Sequence, residues 1–105
     1  MNVRFDRLVG PVGGDPKQAP VSLDVVDFEA NAHIHAHVHQ KSHQVFFVLE
    51  GEISVAKDGS HVPLRPGQSI EILPGVPHSV EAHQKGKLLV FSSPERTGAD
   101  TTEIR

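Results

Sequence analysis

The chain contains no cysteine, tyrosine or tryptophan and a single methionine in 105 residues. Without cysteine there is no disulfide, no thiolate metal ligand and no nucleophilic thiol. Without tyrosine there is no phenol acid, and phenylalanine and histidine supply the only aromatic rings. Cationic charge is also sparse: ten Lys and Arg against thirteen Asp and Glu give a net charge of −3. With no basic patch or charge run, neither nucleic acid nor a membrane surface is expected as a partner. No apolar run approaches the roughly 20 residues of a membrane span. The opening "MNVRFDRLVG" lacks the basic-then-apolar order of a leader. A cytoplasmic, soluble protein is the expectation.

What the chain does have is histidine, eight in 105 residues. Five fall between His33 and His43, in "HIHAHVHQKSH". His33, His35, His37 and His39 alternate with apolar residues, the period-2 pattern of a strand, so all four should point to one face. Alternate residues of a strand lie about 7 Å apart, and the outer two histidines would be about 20 Å apart. Imidazoles bind a metal at about 2.0–2.1 Å, so two neighbours can converge on one ion but four cannot. The pattern by itself does not choose which pair, and a strand facing a polar cavity would look the same.

Elsewhere, short apolar or alternating runs are broken by Gly and Pro every ~10 residues, as in a sandwich or barrel. "VGPVGGDPKQAP" (9–20) reads as a loop, and the extended stretch after it as bent or broken near Asn31. "QVFFVLEG" and "EISVAK" are strands. Asp58-Gly59 is a hairpin turn, and Pro63 favours an edge strand. Pro66-Gly67 and Pro74-Gly75 bracket "QSIEIL", and "HSVEAH" and "KLLVFSS" follow. The core should comprise Val45 to Leu49, Ile53, Val55, Ile70, Ile72 and Leu88 to Phe91.

Counting back from Gly51 gives His37-x-His39, four residues, Gln44, six residues, Gly51. This resembles the first motif of the cupin superfamily, in which a glutamate usually stands where Gln44 does. "GQSIEILPGVPH", with Gly67, Gly75 and His78, resembles the second, with Leu73 in the place of its usual first proline. The stretch matching "HxHxxSxQxFFVLxGE" is similar to small stand-alone cupins that carry glutamine as the fourth ligand. The resemblance implies an all-β cupin fold, a double-stranded β-helix or jelly-roll barrel. It would be a single domain over 1–105, with the core barrel at about 21–92 and residues 93–105 as an arm or loose tail.

It further implies one divalent transition metal held by His37, His39, Gln44 and His78, with Fe, Mn, Ni, Zn and Cu not distinguished. Three imidazoles and an amide are all neutral, so the ion would keep its whole charge and act strongly as a Lewis acid. The expected function is a metal-dependent enzyme on a small organic molecule, by oxygenation, isomerisation, cyclisation or lyase chemistry. The alternatives are a non-catalytic module binding a sugar or carboxylate, and a structural protein with a vestigial site. On the face of His37, His35 is the first choice for a catalytic proton carrier. Phe46 shares the face of Gln44 and should wall the cavity. His43 should face away from the ligands, His33 should sit at the opposite rim, and His61 should be solvated. His83 is rim or surface, and the directions of Glu50 and Glu71 are left open. Phe47, apolar and outward, suggests a face covered by a second copy, hence a homodimer.

Overall fold

The computed structural model describes residues 3–9, 21–93 and 101–103. These form strands β1 (Val3–Val9), β2 (Ser22–Phe28), β3 (His33–His39), β4 (His43–Glu50) and β5 (Ile53–Lys57). There follow β6 (Ser60–Leu64), β7 (Ser69–Ile72), β8 (His78–Ala82), β9 (Gly86–Ser93) and β10 (Thr101–Glu103). One antiparallel sheet runs β1-β2-β9-β4-β7 and the other β10-β3-β8-β5-β6. Packed face to face, they make the jelly-roll double-stranded β-helix that the motifs implied. Among the described residues no helix is long and apolar enough to cross a membrane.

Alternation decides what is buried. In β2, β4 and β9 the inward residues are Val26 and Phe28, Phe46 and Val48, and Leu88 and Val90. They meet Ile53, Val55, Val80 and Ala82 of the facing sheet. Burying each such side chain stabilises the fold by roughly 1.5–3 kcal/mol. The blocks Val45 to Leu49 and Leu88 to Phe91 are therefore only half core: Phe47, Leu49 and Phe91 lie 37–40% exposed on the outer face. Because successive residues of a strand point to opposite sides, a continuous apolar run signals two apolar faces here.

The turns hold the expected positions. Asp58 and Gly59 both adopt positive φ (48° and 83°), closing a two-residue hairpin between paired Lys57 and Ser60. Pro63 lies on β6, at the sheet edge, where no ladder donor is needed. Asn31, at φ 65°, makes the break between β2 and β3. Gly51 has φ +72°, and a Cβ there would stand 2.6 Å from the Lys85 carbonyl oxygen, so only glycine fits this turn. The sheets reach beyond 21–92 at both ends, since β1 pairs with β2 and β10 with β3. The 10–20 part of the Gly/Pro-rich loop, and residues 94–100 and 104–105 of the arm, lie outside the described residues.

Candidate metal centre

The row of four histidines is not one-sided. His33 pairs with Glu81 and Ile34 with Val80, but the next pair is His37 with His78. β3 thus takes three steps where β8 takes two, which is a β-bulge. The bulge changes which residues face inward. Ile34 packs on the core, His33 and His35 are exposed, and from His37 onward the odd positions turn in, with His39 buried. The one extra residue thereby selects the inward pair from among the alternating histidines.

His78 opens β8, directly across the ladder from His37. The Pro74-Gly75 turn before it is tied back to β3 by the Gly75 N–H donating to the His39 carbonyl at 2.8 Å. His37, His39 and His78 thereby bring three ligand nitrogens within 4.8 Å of one another, a group that can hold a metal ion. Ring centroids are 4.9 Å apart for His37–His39, 4.2 Å for His37–His78 and 5.4 Å for His39–His78. Gln44 enters the same cavity from β4 of the opposite sheet.

Each ring is held through Nδ1. His37 Nδ1 donates to the His35 carbonyl at 2.8 Å, and His78 Nδ1 to the Val76 carbonyl at 2.9 Å. A carbonyl only accepts, so both rings carry a proton on Nδ1, and in the neutral ring the lone pair is on Nε2. His39 Nδ1 is hydrogen-bonded to Thr101 Oγ1 at 3.0 Å. Gln44 Nε2 donates to Ser92 Oγ at 3.0 Å, which directs the amide so that Oε1 is the atom left over. Buried side-chain atoms without a hydrogen-bond partner among the described residues include Gln44 Oε1 and His78 Nε2. Orphaned buried acceptors are costly unless something electropositive meets them. Three imidazole nitrogens and one amide oxygen suit a borderline divalent ion, so the residues present fit the metal that the motifs imply.

Burial lowers the pKa of His78 from 6.5 to about 4; the Val76 carbonyl opposes this and nearby His37 adds to it. The ring therefore stays neutral at pH 7 and a cation need not displace a proton from it. The depressed value also sets a pH dependence for the metal-free protein. Above pH 6.5 neither folded nor unfolded His78 is protonated. Between pH 6.5 and about 4 only the unfolded ring takes up a proton, so stability falls by up to roughly 3 kcal/mol. Metal-free protein should therefore melt at a lower temperature at pH 4.5 than at pH 7, and His78→Phe should flatten much of that slope. A slope unchanged in that variant would assign the loss to other groups.

His37, His39 and Gln44 line a cavity of about 280 Å³ between the sheets. Its walls include Phe5, Val26, Ile34, Phe46, Val80, Leu88 and Val90, and His33 and His35 line it from exposed positions. Phe46 lies 5.7 Å from the His78 ring, centroid to centroid. His43 faces the surface and bonds Glu71 at 2.8 Å. His61 is exposed, and exposed His83 lies 3.5 Å from Glu81. Glu50 is also exposed, 3.9 Å from Lys87, so neither Glu50 nor Glu71 enters the cavity. Ser92 and Thr101, which orient Gln44 and His39, were missed in the sequence. Alternation along β9 could have found Ser92, two positions beyond inward Val90. Thr101 had no local signal, since it meets His39 across 62 residues.

A search of curated proteins finds no match. The chain is similar in structure to KdgF from Halomonas sp. (TM-score 0.81, 18% identity, covering 93% of this chain and 84% of that one). It is also similar to an RmlC-like cupin from Shewanella frigidimarina (TM-score 0.77, 27% identity, 90% and 78% covered). A third likeness is to salicylate 1,2-dioxygenase from Pseudoaminobacter salicylatoxidans, solved as adducts with gentisate (TM-score 0.75, 26% identity). That match covers 88% of this chain but 25% of the dioxygenase. The Cupin_2 family profile, described as a cupin domain, matches residues 24–93. With both motifs inside that span and the barrel around them, the chain belongs to the cupin family.

Proposed function

We propose that this cupin is a metal-dependent enzyme acting on a small organic molecule, with His37, His39, His78 and Gln44 as the ligands of one divalent transition metal. The observation that carries the reading is the pair of orphaned buried acceptors, Gln44 Oε1 and His78 Nε2: Gln44 lines the cavity beside His37 and His39, and His78 completes a three-histidine group with those two. When bound, the ion supplies Lewis acidity that stabilises negative charge on a ligated oxygen.

The other work falls to the chain itself. Nδ1 hydrogen bonds fix the imidazole rings in the orientation that aims Nε2 at the site. Phe46, Val26, Val80, Leu88 and Val90 hold the apolar body of a substrate and exclude water from the polar end. His35, exposed at the cavity wall, is the group to carry a proton between substrate and solvent. Among the described residues the cavity wall has no Lys, Arg, Asp or Glu, so an acidic or enolic end would be held at the metal. This favours a compact carboxylate or enol over a many-hydroxyl sugar. The likeness to salicylate 1,2-dioxygenase supports oxygenation among the candidate reactions, and the setting we infer is cytoplasmic.

The experiment is a panel of small carboxylates and enols offered to Fe(II)-, Mn(II)-, Ni(II)- and Zn(II)-loaded protein, with and without dioxygen. One loaded form should consume a compound, and His35→Gln should lower that turnover at least tenfold with the interior metal equivalent retained. Saturable binding without turnover by any form would make the protein a binding module instead.

The same reading includes a homodimer. On the outer face of the first sheet, Leu23, Phe91 and Val45 form one cross-strand row, and Val25, Leu89 and Phe47 the next. Six apolar residues in two adjacent rows make a patch that soluble monomers seldom leave bare. Light scattering should give twice the 11.4 kDa chain mass, and Phe47→Asp with Phe91→Asp should halve it. A wild-type monomer would rule the dimer out.

A further inference from the structure

The interior site uses two of the four alternating histidines of β3 and leaves the other two exposed. We propose that His33 and His35 form a second metal site at the cavity mouth, which captures a borderline divalent ion such as Zn(II), Ni(II) or Cu(II) on its way to the interior.

The pair repeats the geometry of the inner one. The His33 and His35 rings lie 4.6 Å apart at 84°, against 4.9 Å and 83° for His37 and His39. Two imidazoles disposed in that way serve the inner group, so the outer two can act as the same kind of chelate. Both line the cavity that holds the inner set, and both are exposed where His39 and His78 are 3% and 2% exposed. An ion coming from solvent therefore meets the outer pair before the inner one. Among the described residues, β10 pairs only with His37 to His39, which leaves the His33–Ala36 stretch uncovered on that side.

The bulge separates the two pairs. It turns His37 and His39 inward while leaving His33, paired with Glu81, exposed at the cavity wall. Glu81 is turned toward His83 at 3.5 Å, and among the described residues no third His, Asp or Glu joins the outer pair. Two protein ligands with water in the remaining positions bind more weakly than three or four. Weak holding at the mouth and tight holding inside is the order that lets an ion move inward.

Calorimetric titration with Zn(II) tests the site. Wild-type protein should show one tight and one weak equivalent, the weak one at least a hundredfold weaker. His33→Gln with His35→Gln, both at exposed positions, should lose the weak equivalent and keep the tight one. His78→Ala should do the reverse. A single class in wild type, or a weak class that survives the double change, overturns the outer site. Only the capture role rests on the interior reading. If His78→Ala leaves the tight class intact, the interior assignment fails, while loss of the weak class in the double variant still supports the outer site. Capture is read separately, from the rate at which metal passes from a weak chelator into the tight site. The double variant should load several-fold more slowly, and an unchanged rate overturns the capture role.

Discussion

His78→Ala is expected to lower the affinity for the divalent ion by roughly 100-fold or more. Changes to the groups that merely orient a ligand commonly reduce affinity 10–100-fold, and this one removes a ligand outright. His78 is also where the two sequence motifs meet in space. It opens β8, pairs with His37 across the ladder and offers Nε2 from a buried position. Its low pKa, about 4, makes it a ligand ready at neutral pH. Metal per chain after dialysis against a weak chelator is the measurement. About one equivalent should be retained by wild type and little by His78→Ala or His37→Ala. Removing buried His78 also leaves a cavity, so His61→Ala, at an exposed surface position, is the control for handling losses. Equal metal in all four proteins would sink the site.

The second large effect is expected from Gln44→Glu, which should bind Mn(II) or Fe(II) at least tenfold more tightly. The four proposed ligands are neutral, so an ion held there would keep its whole charge in a site that is poorly solvated. A carboxylate in the Gln44 position would offset one unit of that charge and is the donor that hard ions favour. The same change should weaken the protein when no metal is bound. Gln44 is 1% exposed, and its amide donates to Ser92, a donor that an ionised carboxylate lacks. Burial without a cation should also raise the new carboxyl's pKa. Metal should therefore raise the melting temperature of Gln44→Glu by more than that of wild type. An identical shift and identical affinity in both proteins would remove Gln44 from the ligand set.

Much of the site could be read before any coordinates. The cupin resemblance, carried by the spacing of His37, His39 and Gln44 back from Gly51 and of His78 after the Pro-Gly turn, singled out four residues, of which the fold groups His37, His39 and His78 and sets Gln44 in the wall of the adjoining cavity. The fold was legible for a related reason. Turns demand particular backbone angles, and Asp58-Gly59, Gly51 and Gly75 all stand at positive φ where few other residues fit. Strand burial was legible only in part. An apolar run such as "QVFFVLEG" does not say which of its two faces meets the core and which meets solvent or a second copy.

Sequence by itself determined the chemistry on offer: no thiol, no phenol, an excess of imidazole and an amide, Gln44, where the cupin motif usually carries a glutamate. It determined the hinge points of the chain as well, because glycine and proline act locally. Tertiary structure alone decided which histidines turn inward, since that depends on a bulge in the pairing of β3 with β8 and a bulge is a property of two strands. It also decided the proton positions. The carbonyls at His37 and His78 Nδ1 lie only two residues back, but the Thr101 hydroxyl at His39 and the Ser92 hydroxyl that fixes Gln44 are brought there by other parts of the chain. Periodicity along one strand cannot encode a partner that arrives from 48 or 62 residues away.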